Sequence, residues 1–344
     1  MTTSKAASLI RDQRRATIVD VAQHANVSHQ TVSRYLQHHG AGMKRATIER
    51  VEKAIKDLNY HPNLVARSMR TRRSGRITIV MPPLAHHVPM KLLVEASASA
   101  HEAGYTVENV SYEGDAHIRC QRVLELAESG QTDGIVSFAP LAGWPDEQGD
   151  SLSCAVVIVP TYDDDMHGIG ELADGATVKE ILQYLASMGH QRFLHVAGDD
   201  SWPSARNRRQ VYLDSIDELG LHSYGVSDGD WSSESGYDAV ASLPDKGGPT
   251  AVIAANDIVA MGAIRAALDR GWQVPGDLSV IGWDNHDGLD YAKPSLSTVD
   301  VNSGRQGREA MLQLLAILQN EPIPEPARLP LNTLVIREST GAPA

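Results

Sequence analysis

Twice along this chain, short apolar runs alternate with helical patterns, and that rhythm restricts the fold more than any other feature. In the first series, "RITIVMP" from Arg76, "YTVENVSY" from Tyr105, "DGIVSFAP" from Asp133 and "AVVIVP" from Ala155 are strand-like, with helical stretches near 88–103 and 117–129. The second series is "RFLHVAGD", "TAVIAAND" and "LSVIGWD", interleaved with helical stretches near 175–188, 204–219 and 257–270. Strands joined through helices form parallel sheets covered on both faces, so the expectation is an α/β body of two lobes. At 344 residues the chain exceeds one compact core and calls for two or three folding units. Cys120 and Cys154 are its only cysteines, with no C-x-x-C pair. No apolar run approaches the ~18 residues of a membrane span, and the N-terminus has no secretory apolar stretch. We therefore expect a cytoplasmic protein without structural disulfides, a cysteine-built zinc site or a membrane partner.

The formal charge of -12 hides an asymmetry. Residues 1–76 hold 15 Lys/Arg against 5 Asp/Glu, net +10, and the remainder is net -22. A basic head on an acidic body means that only the head approaches a polyanion. Within it, Thr17 suits the N-cap of a short helix with Ile18, Val21, Ala22 and Ala25 on one face, and Asn26 suits a turn. Ser28 then caps a second helix in which Val32 and Leu36 point inward. That leaves His29, Gln30, Thr31, Ser33 and Arg34 outward, where Gln can pair with adenine, Arg with guanine, and Ser or Thr with a base edge or phosphate. Two helices across a tight turn describe a helix-turn-helix, although "HQTVSR" can also be read as a solvated face. Ile48, Val51, Ile55 and Leu58 place a third helix over about 45–58. Pro62 breaks that helix, Asn63 could cap a new one, and "NLVARSMR" reads as a short basic helix with an apolar tooth, too short to be stable alone.

The stretches "TIVDVAQHANVSHQTVSRYL" and "LNYHPNLVARSM" resemble the head and hinge of the lactose/galactose repressor (LacI/GalR) family, and the likeness runs through almost the whole chain. The resemblance implies a DNA-binding head over 1–62, a hinge helix and linker over 63–75, and a two-lobed, periplasmic-binding-protein-like body over 76–344. Lobe one would comprise about 76–173 and 303–328, and lobe two about 174–302 and 329–340. Thr17, Ser28, His29, Gln30, Thr31, Ser33 and Arg34 would meet DNA, together with Asn63, Ala66 and Met69 of the hinge. Met69 stands where members commonly carry a leucine wedge, and Lys44 replaces the usual capping serine of the third helix.

In open α/β sheets, ligands bind beyond the carboxyl ends of the strands. The segments there contain Arg206, Arg208 and Arg209, Asn256 and Asp257, and Trp283, Asp284, Asn285 and Asp287, with Trp231 adding an aromatic face. A guanidinium, an amide, a carboxylate and an indole together recognise a polyhydroxylated ring. Each has a plainer reading: Asn256–Asp257 as a helix cap, Asp284 as a turn, Arg208 as a surface charge, Trp231 as core. By resemblance, Arg208, Trp231, Asn256 and Asp284 match effector-contacting positions of a sugar-responsive member, and "LAHHVPMKLL" adds His86, Val88 and Pro89 from the other lobe. Phe138 would line the pocket as well, although it and Pro82 fall where such a member has polar contacts, so the sugar's identity stays open on that side.

No G-x-x-x-x-G-K-[ST] or H-E-x-x-H occurs, and "GIGELADG" misses the G-x-G-x-x-G spacing. "DDDMH" (163–167) could hold a hard cation but reads better as a solvated loop. We therefore assign no catalytic residue, metal or cofactor. The combined expectation is a homodimeric transcription regulator reading a pseudo-palindromic operator. It would repress carbohydrate-utilisation genes and be relieved by a sugar effector, for instance a galactoside. A purine-type corepressor, or a DNA-tethered sugar enzyme, is the alternative.

Overall fold

The computed structural model describes residues 16–38, 40–60, 73–81, 90–145, 152–159, 161–165, 167–326 and 329–344. The chain separates into two compact units, Met1–Ser74 and Gly75–Ala344.

In the first unit, Thr17 opens α1 (Ile18–His24) with a reciprocal cap: its Oγ1 accepts from Asp20 N, and the Asp20 carboxylate accepts from Thr17 N at 2.7 Å. Asn26 takes φ +51 in the turn, a left-handed conformation that asparagine tolerates. Ser28 Oγ then accepts from Thr31 N at 3.2 Å to start α2 (His29–His38). The third helix, α3 (Arg45–Asp57), starts at Lys44 without any side-chain cap bond. Val21, Ala22 and Ala25, Val32, Val51 and Ala54, and Tyr60 close a small core between the three helices. The Tyr35 hydroxyl donates to Glu52 at 2.9 Å and so ties α2 to α3.

The second unit holds two parallel four-stranded sheets of the same topology. In the first, β1 (Arg76–Met81), β2 (Thr106–Ser111), β3 (Gly134–Ser137) and β4 (Ala155–Ile158) lie in the order β2-β1-β3-β4. In the second, β5 (Arg192–Val196), β6 (His222–Ser227), β7 (Ala251–Ala254) and β8 (Ser279–Ile281) lie in the order β6-β5-β7-β8. Helices α4 (Met90–Glu102) and α5 (Ala116–Glu128) belong to the first series. Helices α6 (Thr177–Ser187), α7 (Pro203–Glu218), α8 (Ser233–Ala241) and α9 (Asp257–Asp269) belong to the second. Alternation along the strands explains the double burial. Phe193, Ile253 and Ile281 face Tyr212 and the α6 leucines, whereas Leu194, Val252 and Val280 face α8 and α9.

The chain crosses between the sheets more than once. After the 3-10 turn Gly170–Ala173 it enters the second series. From β9 (Thr298–Val301) it returns as α10 (Ser303–Gln319), whose Ala310, Met311, Leu314 and Leu315 join the core of the first sheet. At Gly307 a Cβ would lie 2.0 Å from the Leu92 carbonyl, so α10 and α4 cross backbone to backbone. Finally β10 (Asn332–Val335) pairs antiparallel with β9. Among the described residues, no helix is long and apolar enough to cross a membrane.

Candidate functional site

In each sheet the strand order reverses between its first and third strands, and the crevice beyond their carboxyl ends is where such folds bind ligands. In the second sheet that point lies between β5 and β7, and α7 sets Arg208 into it. The Arg208 side chain is 5% exposed; Nη1 donates to the Ala255 carbonyl just beyond β7 at 2.5 Å, and the guanidinium lies 3.9 Å from the Trp283 ring centroid. Burial pushes its pKa down to about 10, while Asp284, Asp174 and Asp257 pull it up, so it stays charged at neutral pH. Trp231 adopts φ +68 and packs its indole flat over Gly198 after β5, where a Cβ would lie only 2.5 Å from the ring. Arg208 Nε and Trp231 Nε1 are both buried without a hydrogen-bond partner, which for N–H donors costs on the order of 1–3 kcal/mol each. Two stranded donors at a switch point are what a ligand bearing acceptor oxygens would satisfy.

The expected acidic and amide groups gather at the same place. Asn256 caps α9, with Oδ1 accepting from Val259 N at 2.8 Å. Asp257 is fully buried and accepts from Thr298 Oγ1 at 2.5 Å and His286 N at 2.8 Å, so it anchors the turn that follows β8. In that turn Asp284 and Asn285 take φ +107 and +51. Asp284 is therefore both a turn residue and a half-buried carboxylate facing the arginine's field. Arg208 is no surface charge. The other arginines of its helix serve the rim: Arg206 donates to the carbonyls of Asp200 and Ser201, and Arg209 donates to Asp228.

For three contributors, reading the sequence defined no part in the crevice. Trp283 was named among the residues that follow the strands, and it is the surface beneath the guanidinium. Trp202 stands edge-on to Trp231 with centroids 5.8 Å apart, and His167 packs 4.6 Å from Trp202. Three tryptophans in one crevice leave no trace in local spacing, because they come from three different strand ends. Asp163, Asp165 and His167 do come together, but the Asp163 carboxylate accepts from the backbone N–H of both other residues and faces His167 Nδ1 at 3.2 Å. It is satisfied within its own loop.

Two expectations are corrected. Ser33 is 8% exposed and packed rather than turned outward, because it adjoins Val32 and Leu36 at the edge of the α2 apolar stripe. Phe138 is fully buried in the core of the first sheet, so it fills that core rather than lining the crevice. Of the remaining DNA-reading candidates, His29, Gln30 and Arg34 are exposed on α2 and Thr31 is half-buried. Thr17 and Ser28 serve as caps. Asn63, Ala66, Met69, Pro82, His86, Val88 and Pro89 lie outside the described residues.

Comparison with known proteins places these features. A profile of bacterial regulatory proteins of the lacI family matches residues 17–63, and a periplasmic binding protein-like domain matches 182–340. The chain is 31% identical to the HTH-type transcriptional repressor CytR of Escherichia coli (strain K12), over 96% of this chain and 98% of that protein. The chain belongs to the LacI family. It is also 29% identical to the lactose operon repressor of the same strain, over 95% of this chain and 91% of that protein. The lac repressor dimer bound to operator and the anti-inducer ONPF superimposes with a TM-score of 0.67 at 26% identity, covering 96% of this chain and all of the other. As a LacI-family member with an intact helix-turn-helix and a two-sheet body, the protein is a DNA-binding transcriptional regulator that answers to a small molecule.

Proposed function

We propose that this regulator is a homodimeric repressor of carbohydrate-utilisation genes, released from a pseudo-palindromic operator by a sugar. The observation that carries the reading is Arg208, buried against Trp283 at the switch point with Nε unpaired, beside the unpaired Trp231 Nε1. Arg208, Trp231, Asn256 and Asp284 would hold the ring, with His86, Val88 and Pro89 closing it from the first lobe. Acceptor hydroxyls suit the stranded N–H donors, and a C–H-rich ring face suits the indoles. The likeness of the chain to the lactose operon repressor makes a galactoside the first sugar to try. Division of labour would follow a head to residue 62, a hinge helix and linker over 63–75, and a body from 76.

His29, Gln30 and Arg34 would read bases on each half-site, and the basic head would add counterion release from the phosphates. Control is then linkage: an effector favouring the lobe arrangement incompatible with operator binding weakens DNA affinity by the factor by which DNA weakens effector affinity. The test is fluorescence anisotropy of labelled DNA from upstream of the gene, with lactose, other galactosides, ribose and purines. Release by one sugar supports the proposal. Tightening by a purine would leave a regulator under corepression and remove the sugar pocket.

A further inference from the structure

The first lobe holds a second buried arginine, which the binding scheme above does not use. Arg119 lies close to the N-terminus of α5, the end of that helix that starts beyond the carboxyl ends of the strands, and is 1% exposed. Its Nη1 donates to the Gly114 carbonyl at 2.6 Å and its Nε to the Pro140 carbonyl at 3.3 Å. Gly114 follows β2 and Pro140 follows β3, and β1 lies between those two strands. The guanidinium therefore bridges the exits of the strands that flank β1, beside the point where the order of the first sheet reverses.

The two sheets share one topology, so β7 is the counterpart of β3. Arg208 donates to the Ala255 carbonyl beyond β7, and Arg119 to the Pro140 carbonyl beyond β3. Each lobe thus has one buried arginine at its own switch point. Arg208 stands on the helix that follows β5 and Arg119 on the helix that follows β2, so no repeat along the chain announces the pair.

Their surroundings differ. Three carboxylates pull on Arg208. No carboxylate among the described residues pairs with Arg119: Asp115 caps α5 at Ile118 N, and Asp164 acts only at a distance. Arg119 Nη2 is buried and makes no hydrogen bond. A buried cation without a counter-charge is strongly disfavoured, and an arginine cannot shed its proton to escape the cost. Holding two carbonyls together takes only N–H donors, which a neutral amide supplies. The charge and the unfilled Nη2 are left over from that task, and the N-terminus of α5 adds a partial charge of the same sign.

We propose that Arg119 Nη2 binds an anionic group of the effector, so that the ligand of this crevice is an acidic sugar, bearing a carboxylate or a phosphate, with its ring on lobe two and its charge on lobe one. The inference rests on the reading of the crevice as a sugar site. An anionic oxygen accepts a charge-assisted bond from Nη2 and supplies the counter-charge that the enclosure lacks.

Two measurements on the full-length protein test it. The first is titration followed by tryptophan fluorescence, with galactose, galacturonate and galactose 6-phosphate, in wild type, Arg119→Gln and Arg119→Lys. One of the acidic sugars should bind wild type roughly tenfold tighter than galactose, the value of a charge-assisted bond, and whichever leads tells carboxylate from phosphate. That ratio should fall toward one in Arg119→Gln and survive in large part in Arg119→Lys, which keeps the charge. A merely structural arginine would weaken all three sugars together. Galactose binding wild type as tightly as both acids, or a ratio indifferent to Arg119→Gln, would overturn the proposal. The second measurement needs no sugar: proton–nitrogen correlation of the arginine side chains as acetate and inorganic phosphate are added, with the Arg119 signals identified by their loss in Arg119→Lys. Arg119 should shift at lower anion concentration than the exposed arginines of the body, and an Arg119 signal indifferent to both anions sinks the idea. This arm and Arg119→Lys carry the test if Arg119→Gln does not fold. If Arg119 responds to the anions but none of the three sugars binds, the sugar reading of the crevice falls and the anion site stands.

Discussion

Burying Arg208 takes a guanidinium out of water, and three carboxylates, Asp284, Asp174 and Asp257, keep it charged against that cost. Removing it should therefore do more than delete one contact. Arg208→Ala is expected to abolish release of operator DNA by the effector while leaving operator affinity intact, read by anisotropy; a normal dose response would remove Arg208 from the pocket. In the head, Arg34→Ala should lower operator affinity by about 1–3 kcal/mol if Arg34 reads a base, with effector binding unchanged in calorimetry. The buried His195 of β5 has a pH signature as well. An unfolded histidine titrates near 6.5 and His195 in the fold near 4, so between those values the unfolded chain binds the extra proton. Its contribution is fully present above about pH 6.5 and is lost as pH falls toward 4, on the order of 3 kcal/mol in all. His286, whose pKa is raised by its bond to Asp257, has the opposite sign, losing its contribution as pH rises. Urea unfolding at pH 7.5 and 5.0 should show a smaller acid loss in His195→Leu than in wild type.

At the scale of elements, close crossings replace side-chain interdigitation in two places. Gly262 of α9 lies so near Ser233 of α8 that a Cβ would sit 1.8 Å from its carbonyl, and Gly307 of α10 makes the same approach to Leu92 of α4. Gly307→Ala should destabilise the body by roughly 1–3 kcal/mol, since backbone must move to admit the methyl group. A lowered urea midpoint for the body's unfolding checks this, and an unchanged midpoint would mean that the crossing yields freely. The head contains the reverse opportunity. With Lys44 giving α3 no cap bond, Lys44→Ser should stabilise that helix by about 1 kcal/mol, seen as slower amide exchange in its first turn.

Considered whole, the molecule separates its charges by task, with net +10 over residues 1–76 and net -22 over the rest. Operator affinity should fall steeply with salt, and replacing one phosphate-contacting cation of the head should reduce the slope of log K against log salt by about 0.9. The two-sheet architecture was legible because strands buried on both faces read as apolar runs: β1, β3, β5 and β7 all lie within the runs that mark them. The edge strand β6 was not, since "HSYGVS" is half polar and Gly225 interrupts it at φ +153. The β9–β10 pair and the return of α10 to the first sheet involve partners distant in sequence, which periodicity cannot announce. On α2, the outward face of His29, Gln30 and Arg34 followed from the apolar spacing, whereas Ser33 sat too near the stripe's edge for a period to decide.

By itself, the sequence determined the kinds of element, their parallel arrangement, the basic reading head and the residue types of the crevice. These depend on local spacing, caps and charge, which neighbours along the chain set. Only the tertiary structure decided that Arg208 is buried on Trp283, that Trp202 joins Trp231, that Phe138 is core, and that His195 lies under Tyr212 with its Nε2 unpaired. Each of those facts joins strand ends or helix faces separated by tens of residues. Burial and hydrogen-bond satisfaction are properties of that enclosure, and no stretch of chain carries them alone.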